Sequence, residues 1–172
     1  EIERFQREVQ AAAQLDHPGI VPVYEVGVVH GTPFFSMKLI EGISLAAKLA
    51  SSPMDQREAA KLVRRAAEAL QCAHDHRIIH RDIKPANILL DDTGNPYITD
   101  FGLARRIDTA SELTSEGQAV GTPSFMPPEQ VLGSRSLIGE LSDVYALGAL
   151  LYSCLTGRPP FQGASPMATM LQ

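Results

Sequence analysis

The stretch His80-Arg81-Asp82-Ile83-Lys84-Pro85-Ala86-Asn87, with the apolar run Ile88-Leu89-Leu90 behind it and Asp100-Phe101-Gly102 after a turn, constrains this chain more than any other feature. It reads as a catalytic loop. A carboxylate, an ammonium and an amide are collected within a few positions, and a second carboxylate returns close by in sequence. Asp100 and the amide oxygen of Asn87 are hard oxygen donors suited to a divalent cation such as Mg²⁺. Taken singly, such residues are ordinary turn chemistry, and the neighbouring Asp91-Asp92-Thr93-Gly94-Asn95 is expected to be a solvated hairpin turn without catalytic meaning.

The order of the motifs carries more weight than any one of them. Asp82 and Asn87 have the spacing H-R-D-x-x-x-x-N, Asp100-Phe101-Gly102 follows, and Gly121-Thr122-Pro123 and Pro128-Glu129 come after that. In this arrangement the chain resembles the eukaryotic-like, bacterial-type serine/threonine protein kinases. The resemblance implies an α+β, protein-kinase-like two-lobe fold that is incomplete here. Residues 1–42 would form a partial β-rich N-lobe with the C-helix, the fourth and fifth family strands and the hinge. Residues 43–172 would form a mostly helical C-lobe, truncated after the start of the helix beyond Pro160. The implied activity is transfer of the ATP γ-phosphate to protein Ser/Thr hydroxyls, with ATP and Mg²⁺ as cofactors. Implied partners are protein substrates and a second kinase molecule for trans-autophosphorylation.

Roles follow residue by residue from that resemblance. Asp82 would orient the acceptor hydroxyl and take its proton, while Lys84 lies against the γ-phosphate. Asn87 and Asp100 would hold Mg²⁺. Met37 would be the gatekeeper, Lys38 to Ile40 the hinge backbone that meets adenine, and Leu89 the floor beneath it. Glu8 is the expected C-helix partner of an upstream lysine. Arg81 implies an activation loop ordered by phosphorylation, with Thr114 the first candidate among Thr109, Ser111, Thr114 and Ser115. Thr122 would bridge Asp82 and Lys84, which favours Ser/Thr acceptors. His80 would pack with Phe101, Asp143 would hold the loop backbone, and Glu129 would await an arginine beyond Gln172. Proline at 127 departs mildly from the family's alanine.

Composition sets the outer bounds. A net charge of −5 without a Lys/Arg run argues against nucleic acid as the main partner. Cys72 and Cys154 lie in apolar helical patterns and are expected as buried thiols; with no signal peptide, the expected setting is the cytoplasm. The apolar run at 144–155 is too short to cross a bilayer, so any membrane anchor would lie outside this chain. At 172 residues the chain is shorter than a complete kinase domain. It starts downstream of any glycine-rich loop or third-strand lysine and is expected, taken alone, to bind ATP poorly. The rival expectations are a pseudokinase serving as a scaffold and a small-molecule phosphotransferase.

Periodicity supplies the elements. A helix should run to Leu15 and stop at Asp16-His17-Pro18-Gly19, and residues 20–29 and 34–40 should pair as a hairpin. Ser52-Pro53-Met54-Asp55 suggests a helix start with serine as the cap, followed by an apolar stripe at Ala59, Leu62, Val63, Ala66, Leu70 and Ala73. Residues 88–90 and 97–99 should be short strands. Beyond Gly42 the rest is expected to be helical, apart from a long loop at 103–128. The almost wholly apolar helix at 143–151 should be buried on nearly every side. Cys72-Ala73-His74-Asp75-His76 lacks the second ligand pair that a zinc site needs.

Overall fold

A computed structural model describes residues 9–30, 32–101 and 123–172. Helix α1 is described over residues 9–12. It is followed by β1 (Val23–Val29), β2 (Thr32–Met37), β3 (Gly42–Ser44), α2 (Leu45–Leu49) and α3 (Gln56–Asp75). Strands β4 (Ile88–Asp91) and β5 (Pro96–Ile98) come next, and then α4 (Pro128–Val131), α5 (Glu140–Thr156) and α6 (Pro166–Met170).

The β-branched residues of β1 pair antiparallel with β2, Val26 opposite Phe35 and Val29 opposite Thr32. Val23, Val26 and Phe35 close over the fully buried Val9, which ties α1 to the hairpin in a small cluster of its own. The expected strand at 20–29 begins late, and its first residues do something else. Ile20 bridges Ile98 in parallel, Val21 N–H donates to Ile98 O at 2.9 Å and Ile98 N–H donates to Gly19 O at 2.8 Å. Pro22, lacking an N–H, marks the break between the two pairings.

The second sheet has the order β3-β4-β5, all antiparallel. Strand β3 was not expected, since residues beyond Gly42 read as helical except near the loop. Three residues are too few for an alternation to register, and the strand exists because Gly42 admits the close approach. A Cβ there would stand 1.8 Å from Leu90 O.

The main core forms where α3 and α5 meet the underside of this sheet. Leu62, Ala66 and Leu70 of α3, Leu150 of α5, and Ile83, Ile88 and Ile98 are all at least nine-tenths buried. The apolar stripe read on α3 is therefore its core face. Its start is corrected: the cap is Asp55, not Ser52, because Asp55 Oδ1 accepts from Arg57 N–H at 2.9 Å and Glu58 N–H at 3.3 Å. At its far end α5 stops at Gly157, whose φ of 73° lets its N–H turn back to Ser153 O at 2.9 Å. The expectation that α5 is buried on nearly every side also fails. Leu141 is 80% exposed and Val144 56%, while Ala146, Leu147, Leu150 and Cys154 are buried. Among the described residues only one face of α5 is covered, so overall apolarity overstated the burial.

Candidate active site

The loop after α3 is built around one buried carboxylate. Asp143, in the first turn of α5, is fully buried. Its Oδ2 accepts His80 N–H at 2.9 Å and the His74 ring Nε2–H at 2.8 Å, and its Oδ1 accepts Arg81 N–H at 2.8 Å. A buried charge is tolerable only with such a full set of donors. These bonds also hold Arg81 at φ 67°, a left-handed conformation that costs a residue with a Cβ about 1–2 kcal/mol. Asp143 therefore shapes the loop, as its resemblance-derived role implied.

His80 is locked inside the same network. Its Nδ1 accepts Asp82 N–H at 3.2 Å, so Nε2 carries the proton and donates to Thr99 O at 3.0 Å. Burial pushes the imidazole pKa below its ordinary value, against the pull of the Asp143, Asp82 and Asp100 carboxylates. The ring packs on Phe101 with centroids 4.7 Å apart, as expected. It thus joins the loop to the strand end that delivers Asp100.

The chemistry-bearing side chains converge on Asp82. Lys84 Nζ lies 2.7 Å from Asp82 Oδ2, and Asn87 Nδ2 donates to Asp82 O at 2.8 Å and to Asp82 Oδ2 at 3.1 Å. Oδ1 of Asp82 makes none of these bonds. Because the Asn87 NH₂ is committed to Asp82, its Oδ1 on the other branch of the amide is left as an oxygen donor. The 3₁₀ turn Pro85–Asn87 sets this spacing, with Asn87 N–H bonded to Lys84 O at 3.0 Å. Buried Ile83, pointing the opposite way, anchors the loop in the core.

Asp100 arrives by strand pairing. Ile88 lies opposite Ile98, and Thr99 N–H donates to Asn87 O at 3.1 Å, so Asp100 follows the residue bonded directly to Asn87. Its φ of 59° turns the chain sharply, a left-handed bend that Asp accepts more readily than most residues. Asn87 and Asp100 both carry hard oxygen donors, a chemistry that fits Mg²⁺ held jointly with phosphates.

Met37 ends β2, Lys38 and Ile40 follow it, and Leu89 lies in β4. Thr99 Oγ1 lies 3.5 Å from Met37 Sδ, and Met37, Phe35, Asp100 and Phe101 border a hollow of about 10 Å³, room for about one water. Lys38 N–H is spent on Pro22 O at 2.9 Å, so its carbonyl is the backbone group it offers outward. Its ammonium lies 5.8 Å from the Tyr97 ring centroid. Leu89 pairs with Tyr97 and Ser44 in the centre of the second sheet, and Ile40 is half-buried between Met37 and β3. Glu8, Thr114 and Thr122 lie outside the described residues.

Three participants were missed. His74 was noted only while discounting a metal site, yet it stands one turn past Leu70 on the buried stripe of α3, which was the available signal. Ser142 donates its hydroxyl to Glu129 Oε1 at 2.6 Å, giving Glu129 a partner well before any downstream arginine. Gln130 Nε2 donates to Arg81 O at 3.0 Å, a contact across 49 positions that no local pattern reveals.

The loop thus stands beside a short antiparallel sheet on a helical base. Residues 1–172 match the model of the protein kinase domain, and the chain belongs to that family. It is 43% identical over 173 residues to the DNA damage-responsive serine/threonine-protein kinase RqkA of Deinococcus radiodurans, covering 98% of this chain and 26% of that protein. Similar matches are the serine/threonine-protein kinases PknB of Mycolicibacterium smegmatis, 40% identical over 98% of this chain and 28% of the relative, and PrkC of Bacillus subtilis, 39% identical over 99% and 26%. The chain thus spans about a quarter of the length of the curated relatives it matches.

Proposed function

We propose that the protein carrying this chain is an ATP- and Mg²⁺-dependent kinase of protein serine and threonine residues. The observation that carries the reading is the Asp82 cluster, in which Lys84 and Asn87 fix Oδ2 and leave Oδ1 for an acceptor hydroxyl. Asp82 orients that hydroxyl and accepts its proton as the oxygen attacks phosphorus. Lys84, already beside Asp82, neutralises charge that builds on the transferring group. Asn87 and Asp100 hold Mg²⁺, whose contribution is to offset phosphate charge. Met37, the Lys38 carbonyl, Ile40 and Leu89 form the adenine edge, and Glu8 pairs with a lysine outside this sequence.

In this reading residues 1–42 belong to the N-lobe and 43–172 to the C-lobe, and the kinase works in the cytoplasm, where ATP is supplied. Among the described residues no helix is long and apolar enough to cross a membrane. Arg81 receives a phosphate added to Thr114 by a second molecule, and Thr122 supports Asp82 and Lys84. The names of the relatives support a serine/threonine acceptor. The test is phosphate transfer from labelled ATP to a generic protein substrate by the full-length protein. Asp82→Ala and Asp100→Ala should each abolish it; transfer that survives both substitutions overturns the proposal.

A further inference from the structure

The peptide group from which Asp82 hangs is gripped along both edges. Its N–H, on Asp82, donates to His80 Nδ1 at 3.2 Å, and its carbonyl, on Arg81, accepts from Gln130 Nε2 at 3.0 Å. The preceding peptide is fixed by Asp143 Oδ1 on Arg81 N–H at 2.8 Å. His80 and Asp143 belong to the buried network of the loop, whereas Gln130 comes from α4, a four-residue helix with no buried residue. The neighbour of Gln130, Glu129, is bound at 2.6 Å to Ser142, which adjoins Asp143. Two adjacent side chains of α4 therefore reach the catalytic loop and the base of α5.

We infer that Gln130 is a positioning residue for Asp82, coupling α4 to the orientation of the catalytic carboxylate; this rests on the kinase reading above. Arg81 holds the unfavourable φ of 67°, and a bond to its carbonyl resists rotation of the Arg81–Asp82 peptide plane. Rotation of that plane swings the Asp82 Cβ and shifts Oδ1 relative to a bound hydroxyl, and small misplacements of reacting groups cost rate steeply. Lys84 and Asn87 hold the far end of the side chain, so Gln130 acts on its root. A half-buried glutamine on a short surface helix contributes little to core stability, which makes the positioning effect separable from folding.

The experiment uses the full-length protein with Gln130→Met, similar in size but without a donor, and Gln130→Glu. Gln130→Met should lower kcat about tenfold, the worth of one backbone hydrogen bond in a site, with KM for ATP changed less than about twofold. Gln130→Glu should lose more at pH 8, where carboxylate faces carbonyl. Relative to the parent it should recover as the pH approaches about 5, where protonated Glu donates again. Amide exchange at Asp82, followed by hydrogen–deuterium exchange, should quicken in Gln130→Met while the urea midpoint stays unchanged. Parent-like kcat together with parent-like Asp82 exchange overturns the inference, as does an activity loss that merely tracks a lowered midpoint. Should the parent itself transfer no phosphate, the kinase reading falls, and the exchange rate at Asp82 still decides whether Gln130 holds the peptide.

Discussion

Asp143 Oδ1 accepts the main-chain N–H of Arg81 at 2.8 Å, so a carboxylate on α5 dictates the backbone of a loop 62 positions earlier. The same group satisfies His80 N–H and His74 Nε2–H. Asp143→Ala would leave these donors buried without an acceptor, and each such loss costs about 1–3 kcal/mol. A loss of at least ~3 kcal/mol in urea denaturation is expected, a large part of the roughly 5–15 kcal/mol that holds a domain together. Asp143→Asn keeps one acceptor oxygen and should lose about half as much. An Asp143→Ala protein as stable as the parent would mean that the loop is shaped by something other than this carboxylate.

Lys84 stands 2.7 Å from Asp82 Oδ2, and in the proposed kinase reading its ammonium also faces the transferring phosphate. Lys84→Met should lower kcat by about 10²–10³, the usual loss when one preorganised charge-stabilising group is removed. Lys84→Arg should recover part of the rate, since the charge returns on a bulkier, planar group. Steady-state kinetics on the full-length protein check this. Equal losses in both variants would assign Lys84 a role that depends on shape rather than charge.

How far the sequence reaches is seen by comparing Asn87 with Gln130. Asn87 belongs to a motif whose spacing is fixed by one 3₁₀ turn, so its place beside Asp82 was legible from local order. Gln130 meets Arg81 only because α4 and the loop are brought together by the core, and nothing in its neighbourhood signals it. The stripe on α3 was legible because a 20-residue helix repeats its pattern several times. Strand β3 was not, because its identity depends on Leu90 and its neighbours rather than on its own three residues. The Ser52-for-Asp55 error has a similar origin: both residues suit a cap, and the choice falls to whichever carboxylate or hydroxyl reaches the free N–H groups.

Burial lowers the His80 pKa below the ordinary imidazole value of about 6.5, while the unfolded chain leaves it near that value. Between the two pKa values the unfolded state binds more protons, so stability is full above about pH 6.5 and declines as pH falls through that window. His80→Phe, which keeps a ring against Phe101, should remove this slope while lowering overall stability through loss of the bonds to Thr99 and Asp82. A second decline is expected at more acid pH. Hydrogen bonds, led by that from the Asn95 side chain, hold Asp91 well below the usual carboxylate range. The stability this contributes is present above the unfolded carboxylate pKa of about 4 and is lost below it, and Asp91→Asn should abolish that step. Thermal melts of the three proteins from pH 8 to 3 separate the two windows.

Cys154, on α5, is fully buried, and burial pushes its thiol up to about 11. Since the thiolate is the reactive species, Cys154 should resist alkylation at pH 8 on both counts, lack of access and lack of charge. Cys72 is only half-buried on the outer side of α3 and should be modified first. Iodoacetamide labelling followed by peptide mass spectrometry should find Cys72 carbamidomethylated and Cys154 intact in native buffer, with both labelled in 6 M urea. Because Cys154 is buried in the core that α3 and α5 share, its labelling rate in intermediate urea reports the opening of that helix pair. Rapid native labelling of Cys154 would show that this pair opens far more readily than its packing requires.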